Sequence, residues 1–192
     1  MDTCPAELPA LLEQLWQRLE AAASTANDPF RTPALATADN GQSATRIIVL
    51  REASAASHTL TAYSDARAPK VQQLRRDPRA QWLFFDPRTR VQIRASGTTA
   101  IHHGDDLARK TWEKVAPANR ANYAASLPPG SEIAKPIFAL PMPPDHDAGR
   151  NHFALIRATI DNLDWLELGE PHHRRAGFKW NGQAWSGHWL VP

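Results

Sequence analysis

Cysteine is nearly absent from this chain of 192 residues. With Cys4 alone, no disulfide can form within the chain and nothing calls for an oxidising compartment. Long apolar runs are missing too, and MDTCPAELPALLEQLW has neither the basic start nor the apolar stretch of an export signal. The expectation is a cytoplasmic protein with no membrane partner. Charge of one sign is not in excess, with 22 basic against 20 acidic residues, so an anion site has to be built by local placement. Without a basic stripe, a nucleic-acid partner is not expected. Signature loops are absent as well: there is no Gly-x-Ser-x-Gly elbow, no phosphate loop ending in Lys-Ser/Thr and no Gly-x-Gly-x-x-Gly turn. Serine-hydrolase, P-loop and Rossmann readings therefore lose their main support. Cys4 has no histidine near it in sequence and reads as a surface residue, not a nucleophile. The pairs His102-His103 and His172-His173 would each offer one metal ligand at most, since adjacent strand residues face opposite ways, and no metal is expected.

What is present suits one domain over residues 1–192, with 42% hydrophobic residues to bury. Leu8, Leu11, Leu12, Leu15, Leu19, Ala22 and Ala23 recur at helical spacing after Pro5, predicting an amphipathic helix over 5–25. TPALATADNGQSATRIIVLRE reads as two strands around a hairpin at Asp39-Asn40-Gly41, and HTLTAYSD as a third. A helix in PKVQQLRRDP should follow, then strands in RAQWLFFD and TRVQIRASGTTAIHH. In the last of these Val91, Ile93 and Ala95 alternate with Gln92, Arg94 and Ser96, which predicts one dry face and one polar face. Residues 105–116 turn helical, and a proline-rich arm over about 117–150 carries Pro117, Pro128, Pro129, Pro136, Pro141, Pro143 and Pro144. NHFALIRATIDNLDWLEL and HHRRAGFKW read as strands, and Trp180-Asn181-Gly182-Gln183 as a two-residue hairpin turn into AWSGHWLVP. The sum is a mainly β (α+β) chain: a small antiparallel barrel with peripheral helices.

Two places draw attention for chemistry. In AYSDARAPK a strand hands over to a helix whose cap position, Ala68, caps poorly, so free N–H groups and the helix dipole favour an anion near Arg67 and Lys70. In TRIIVLRE, Arg46 and Arg51 bracket Ile47, Ile48, Val49 and Leu50 at a spacing of five, which puts the two cations on opposite faces of one strand. A buried arginine wants an anionic partner: a phosphate, a substrate or a carboxylate of the chain itself.

In order and spacing, RIIVLR, YSDARAPK, DPRAQWLFF, VQIRASG, DWLELGEPHHRRAGF and WLVP resemble the pyridoxamine 5′-phosphate oxidase-like, FMN-binding split-barrel family, most of all a branch whose substrate is not established. The resemblance implies an antiparallel split β-barrel and a homodimer with FMN at the subunit interface. It implies that Arg46 and Lys70 hold the FMN phosphate and that Ile47, Ile48, Val49, Leu50, Tyr63, Ser64, Gln92, Trp165 and Arg175 touch the ribityl chain or the flavin. Ala68-Pro69 stand where the B6 oxidases keep Ser-Arg, which removes a hydroxyl and a cation from the phosphate site: either phosphate affinity is reduced or Arg67 substitutes. Arg51 and His173 match the substrate side and become the catalytic candidates. The Tyr, Arg and Ser that grip the substrate phosphate in B6 oxidases have no clear match around NRANYAAS, and the late Arg-x-His is here Pro171-x-His173. The resemblance thus points to an FMN-dependent oxidoreductase acting on a small molecule other than pyridoxamine phosphate. The alternative is a non-catalytic flavin or haem-type ligand-binding protein on the same barrel.

Overall fold

Asn40 and Gly41 both take positive φ, the backbone that a tight two-residue hairpin needs, and they join β1 (Ala34–Asp39) to β2 (Gln42–Ile47). A computed structural model describes residues 7–136 and 147–192. Expectations that fall on residues 1–6, Cys4 among them, and on residues 137–146 of the proline-rich arm lie outside the described residues. Ahead of the hairpin, α1 (Leu8–Ser24) buries Leu11, Leu15, Trp16, Leu19, Ala22 and Ala23, the stripe that the sequence periodicity marks. It packs this face on β3 (Leu50–Ser54).

TRIIVLRE is not one strand. The Ile48 amide donates to the Pro33 carbonyl at 3.0 Å in register with the Ala34–Ile47 pair, the last bond on that side of the β1–β2 ladder, and β3 starts afresh at Leu50. Arg46 therefore sits on β2 and Arg51 on β3, so side-chain parity along a single strand does not relate them. The extra strand also moves the next helix: α2 (Pro69–Arg76) follows the fourth strand, β4 (Thr59–Asp65), and not the third.

β5 (Arg79–Asp86), β6 (Val91–His102) and β7 (Phe153–Glu167) complete a path ordered β2-β1-β5-β6-β7-β4-β3, antiparallel at every step. Laid flat, seven strands would hold β2 and β3 about 29 Å apart at the usual ladder spacing. Only Ile48 and Val49 join them, a reach of about 11 Å. The sheet has to curl until its two edges meet. β7 then divides: Phe153–Thr159 pairs with β4, while Asn162–Glu167 pairs with β8 (Arg174–Trp180), which carries β9 (Trp185–Leu190). A bulge at Ser96/Gly97 brings β7 so close that a Cβ on Gly97 would lie 1.9 Å from the Thr159 carbonyl, so only glycine fits.

The interior is filled by alternate residues of these strands. Trp82, Phe84, Ile93, Leu35, Leu50 and Leu60 point inward with Phe30, whereas Arg79, Gln81, Leu83 and Phe85 of β5 point out. Ile93 and Ala95 are fully buried, as the alternation in β6 predicts. A satellite cluster of Ala108, Trp112, Val115, Tyr123, Phe153 and Leu155 lies under α3 (Asp106–Lys114), whose Asp105 cap accepts from the Ala108 amide at 2.8 Å. A single turn, α4 (Pro117–Arg120), opens the arm. The β8–β9 connection departs from expectation. Trp180 pairs with Trp185, so the loop has four residues, and Asn181 Oδ1 accepts from the Gln183 and Ala184 amides to hold it. Among the described residues no helix is long and apolar enough to cross a membrane.

Candidate functional site

At one end of the barrel, α2 begins without a side-chain cap, with Pro69 in its first turn. Lys70 lies there beside buried Ser64, its Nζ 3.4 Å from Ser64 Oγ. Burial pushes the Lys70 ammonium below the usual lysine range, and the charge of Arg46 pushes it further the same way against a weaker pull from Asp65. Arg46 reaches this end from β2. Its Nη1 donates to Thr37 Oγ1 at 2.7 Å and to the Leu35 carbonyl at 3.3 Å, and its Nη2 donates to Gln73 Oε1 at 2.8 Å. Burial lowers its basicity as well, partly offset by Asp39. No carboxylate touches either cation among the described residues. Two half-buried cations that repel each other at an uncapped helix start form a donor set for a phosphate dianion. The residues present fit the terminal phosphate of FMN.

Arg67 is placed differently. Its Nε and Nη2 grip Asp65 at 3.0 and 2.7 Å, and Nη1 and Nη2 donate to the Ser126 and Ala125 carbonyls at 3.2 and 2.9 Å. Burial would raise the Asp65 carboxyl, but the Arg67 hydrogen bonds win and hold it below its usual value. Arg67 ties the arm to the start of α2.

Arg51 projects into a second pocket of about 250 Å³, lined by Arg31, Tyr63, Lys114, Val115, Ala116, Asn119 and Tyr123. Its guanidinium lies 5.3 Å from the centre of the Tyr63 ring, and its Nε is buried with no hydrogen-bond partner among the described residues. Burial raises the Tyr63 hydroxyl above its usual pKa and pushes that of Tyr123 up to about 12, so both remain neutral donors at physiological pH. The lining holds three cations and no carboxylate. His173 is not part of it: it stands exposed between β7 and β8 with no hydrogen bond or ion pair among the described residues.

On the outer face of the sheet two cross-strand rows run side by side. One aligns Phe85, Gln92, Leu166, Arg175 and Leu190; the other aligns Ile47, Ala34, Leu83, Arg94, Asp164 and Gly177. Asp164 accepts from Arg94 at 2.6 Å and from Arg175 at 2.8 Å. Ile47, Leu83, Phe85 and Leu190 are exposed around this cluster. Gln92 and Arg175, separate in sequence, are thus brought into one row. Trp165 is not with them: at 3% exposure it belongs to the core on the opposite face of β7, with the Arg174 guanidinium 5.8 Å from its ring centre. Of the segment between the two arginines, Ile47 is exposed on the outer face while Ile48 and Leu50 are buried.

Sequence reasoning missed Thr37 and Gln73, which hold Arg46, and Arg31 and Lys114, which share the pocket of Arg51. The signal for Gln73 was available: a buried glutamine between Val71 and Leu74 interrupts the apolar side of α2. The first histidine pair does other work, with His102 Nδ1 2.8 Å from Asp105 and His103 Nε2 2.9 Å from the Asn151 carbonyl.

Comparison with known proteins places this geometry. Residues 13–103 match the model of the family described as pyridoxamine 5′-phosphate oxidase, FMN-binding domain. A pyridoxamine 5′-phosphate oxidase-related, FMN-binding protein from Nostoc punctiforme is 26% identical, with 99% of this chain and 100% of that one covered and a TM-score of 0.77. PhzG from Burkholderia lata, solved in complex with tetrahydrophenazine-1-carboxylic acid, shares the fold at 21% identity and a TM-score of 0.71, covering 100% of this chain and 95% of its own. A Clostridium acetobutylicum protein related to general stress protein 26 shares it at 11% identity and a TM-score of 0.57, over 88% of this chain and 94% of that one. No curated protein sequence matches.

Proposed function

From a chain whose residues 13–103 match the pyridoxamine 5′-phosphate oxidase FMN-binding domain, and whose fold is that of related FMN-binding proteins, we propose an FMN-dependent oxidoreductase acting on a small anionic molecule. The observation that carries this reading is the pair Arg46 and Lys70, two cations without a carboxylate in contact at the uncapped start of α2. They bind the FMN phosphate; Tyr63, Ser64 and the Ile47–Leu50 segment lie along the cofactor's path. When bound, FMN supplies two-electron redox chemistry, and the protein's part is to bind, orient and exclude water.

A homodimer is part of the proposal. The exposed Ile47, Leu83, Phe85 and Leu190 give the outer face an apolar patch to bury, and an isologous dimer would bring Gln92 and Arg175 of one protomer toward the flavin held by the other, with Trp165 packed in the core behind them. His173, exposed and without a partner among the described residues, would move a proton there. The pocket of Arg51 takes the anionic group of the substrate: cations and neutral tyrosine hydroxyls suit a carboxylate, the group carried by the molecule that PhzG binds. At about 250 Å³ it accepts one arm of a ligand and not a whole one.

An absorbance spectrum after incubation with FMN and desalting tests the cofactor. Retained flavin in the wild type, lost in Arg46→Ala and Lys70→Ala, is the expected result; a colourless wild type would sink the reading. Light scattering of the loaded protein should give a dimer mass. A flavin carrier without turnover is the second reading, favoured by the separation of Arg51 and His173 within a protomer. Flavin that stays oxidised with every donor tried would give it the lead.

A further inference from the structure

Gln73 is 6% exposed, and every polar atom of its side chain is used. Oε1 accepts from Arg46 Nη2 at 2.8 Å and from Thr37 Oγ1 at 2.7 Å, while Nε2 donates to Asp39 Oδ2 at 3.0 Å. The amide therefore stands between a guanidinium and a carboxylate. Arg46 is held on a second side by Thr37, whose hydroxyl accepts from Nη1 at 2.7 Å. Both side chains that fix the arginine are neutral, although a carboxylate lies one residue further on in the chain of contacts.

We propose that Gln73 is a positioning residue for the cofactor phosphate: it fixes the Arg46 guanidinium while keeping the Asp39 carboxylate from pairing with it. The inference rests on the FMN reading above and goes beyond it in assigning the arginine's readiness to a residue that need not touch the ligand. Two physical requirements meet at this position. An unfixed guanidinium would lose rotamer freedom on each binding event, and one already paired with a carboxylate would have to break that pair before meeting a phosphate. A neutral acceptor satisfies both. Glutamate would fix the arginine equally well and neutralise it; a hydrocarbon of the same length would leave it charged and loose. Asp39 is free for its second contact, the Arg76 guanidinium at 3.8 Å.

The test compares FMN with riboflavin, which is FMN without its phosphate, by flavin fluorescence titration of the flavin-free full-length protein. Gln73→Glu should weaken FMN by about 10- to 100-fold, the weight of one charge-assisted hydrogen bond, and leave riboflavin unchanged. Gln73→Met should weaken FMN by a smaller factor, again with riboflavin unmoved. A general packing role would lower both ligands together, and that outcome, or no change in either, overturns the inference. Should Gln73→Glu fail to fold, Thr37→Val removes the other neutral anchor and must show the same selective loss. Arg46→Ala is the reference. If it too leaves the FMN-to-riboflavin ratio of the wild type intact, the phosphate assignment itself is wrong; if Arg46→Ala lowers the ratio and Gln73→Glu does not, only the inference about Gln73 falls.

Discussion

Two pairs of cations in this molecule are treated in opposite ways. On the outer face, Arg94 and Arg175 converge on one carboxylate, Asp164, at 2.6 and 2.8 Å. At the start of α2, Arg46 and Lys70 share a neighbourhood with no carboxylate in contact, and each is made less basic by burial. The first pair is satisfied within the chain; the second is held by neutral oxygens, Thr37, Gln73 and Ser64, and on the proposed function keeps its field for the FMN phosphate. Cation count does not tell the two apart. The neutrality of the residues around the charge does: on the proposed function the inner pair meets a phosphate unpaired, whereas Arg175 would meet the flavin while held by Asp164.

The comparison is broken most strongly by giving the inner pair its own anion. Ser64→Asp would place a carboxylate beside Lys70, and FMN affinity should fall on the order of 100-fold while the flavin-free protein keeps or gains thermal stability. Ser64→Ala, which adds no charge, should change affinity only a few-fold. Equal losses in the two variants would mean that Ser64 matters as a ligand contact and that charge compensation does not.

Next in size is the reverse operation on the outer face. Asp164→Ala strands two guanidiniums, and urea unfolding should report a loss of about 1–2 kcal/mol, reduced from the buried-pair value because both arginines keep some contact with water. The stranded pair should then behave like the inner one: sulfate should stabilise Asp164→Ala more than the wild type. If sulfate stabilises the two alike, the outer cations are not equivalent to the inner ones even when freed.

Much of this contrast was legible before any coordinates. The Asn40-Gly41 turn, the α1 stripe, the alternation in β6 and the uncapped Ala68 follow from local rules, and each stands where periodicity or turn chemistry places it. Failures came where a tertiary contact overrides a local pattern. The apolar run around Ile48 reads as continuous strand, yet the chain leaves the β1–β2 ladder after Ile48 and starts β3 at Leu50, which puts Arg46 and Arg51 at opposite edges of the sheet path. Arg67 reads as a phosphate cation from its neighbours in sequence, but Asp65 and the arm carbonyls claim it. Gln73 shows in sequence only as a glutamine on the apolar side of α2; its role depends on β1 and β2 passing α2, which no one-dimensional spacing records.

Titration sharpens the comparison further. Burial opposes ionisation of Asp164, but the hydrogen bonds from Arg175 and Arg94 outweigh it and hold its pKa below the unfolded value. Its contribution is present above the unfolded aspartate pKa and is lost as pH falls through the lower, folded value. Lys70 is also depressed, by burial and by Arg46, so the unfolded chain binds that proton more tightly, and stability of the flavin-free protein rises with pH on the alkaline side. Thermal melts across pH, taken as differences from the wild type, should show an acid limb shrunk by Asp164→Asn, with Asp65, Asp86 and other depressed carboxylates keeping the rest, and the Lys70 share of the alkaline slope lost in Lys70→Met. FMN should erase the alkaline rise, since a bound phosphate favours the charged lysine.

The smallest effect is expected at Arg67. Its guanidinium is engaged twice over, by Asp65 and by the Ala125 and Ser126 carbonyls, and turning it toward a phosphate would leave the buried Asp65 carboxylate alone. Arg67→Ala should therefore shift FMN affinity by no more than about threefold, the scale of a partly exposed ion pair. The change should instead appear in the arm, as faster proteolysis between residues 124 and 136, because the two carbonyl contacts that hold it to the start of α2 are gone. A loss of FMN affinity as large as that of Lys70→Ala would mean that Arg67 leaves Asp65 when the cofactor arrives. It would then belong with the inner cations, and neutral surroundings in the free protein would no longer be the mark of a residue reserved for a ligand.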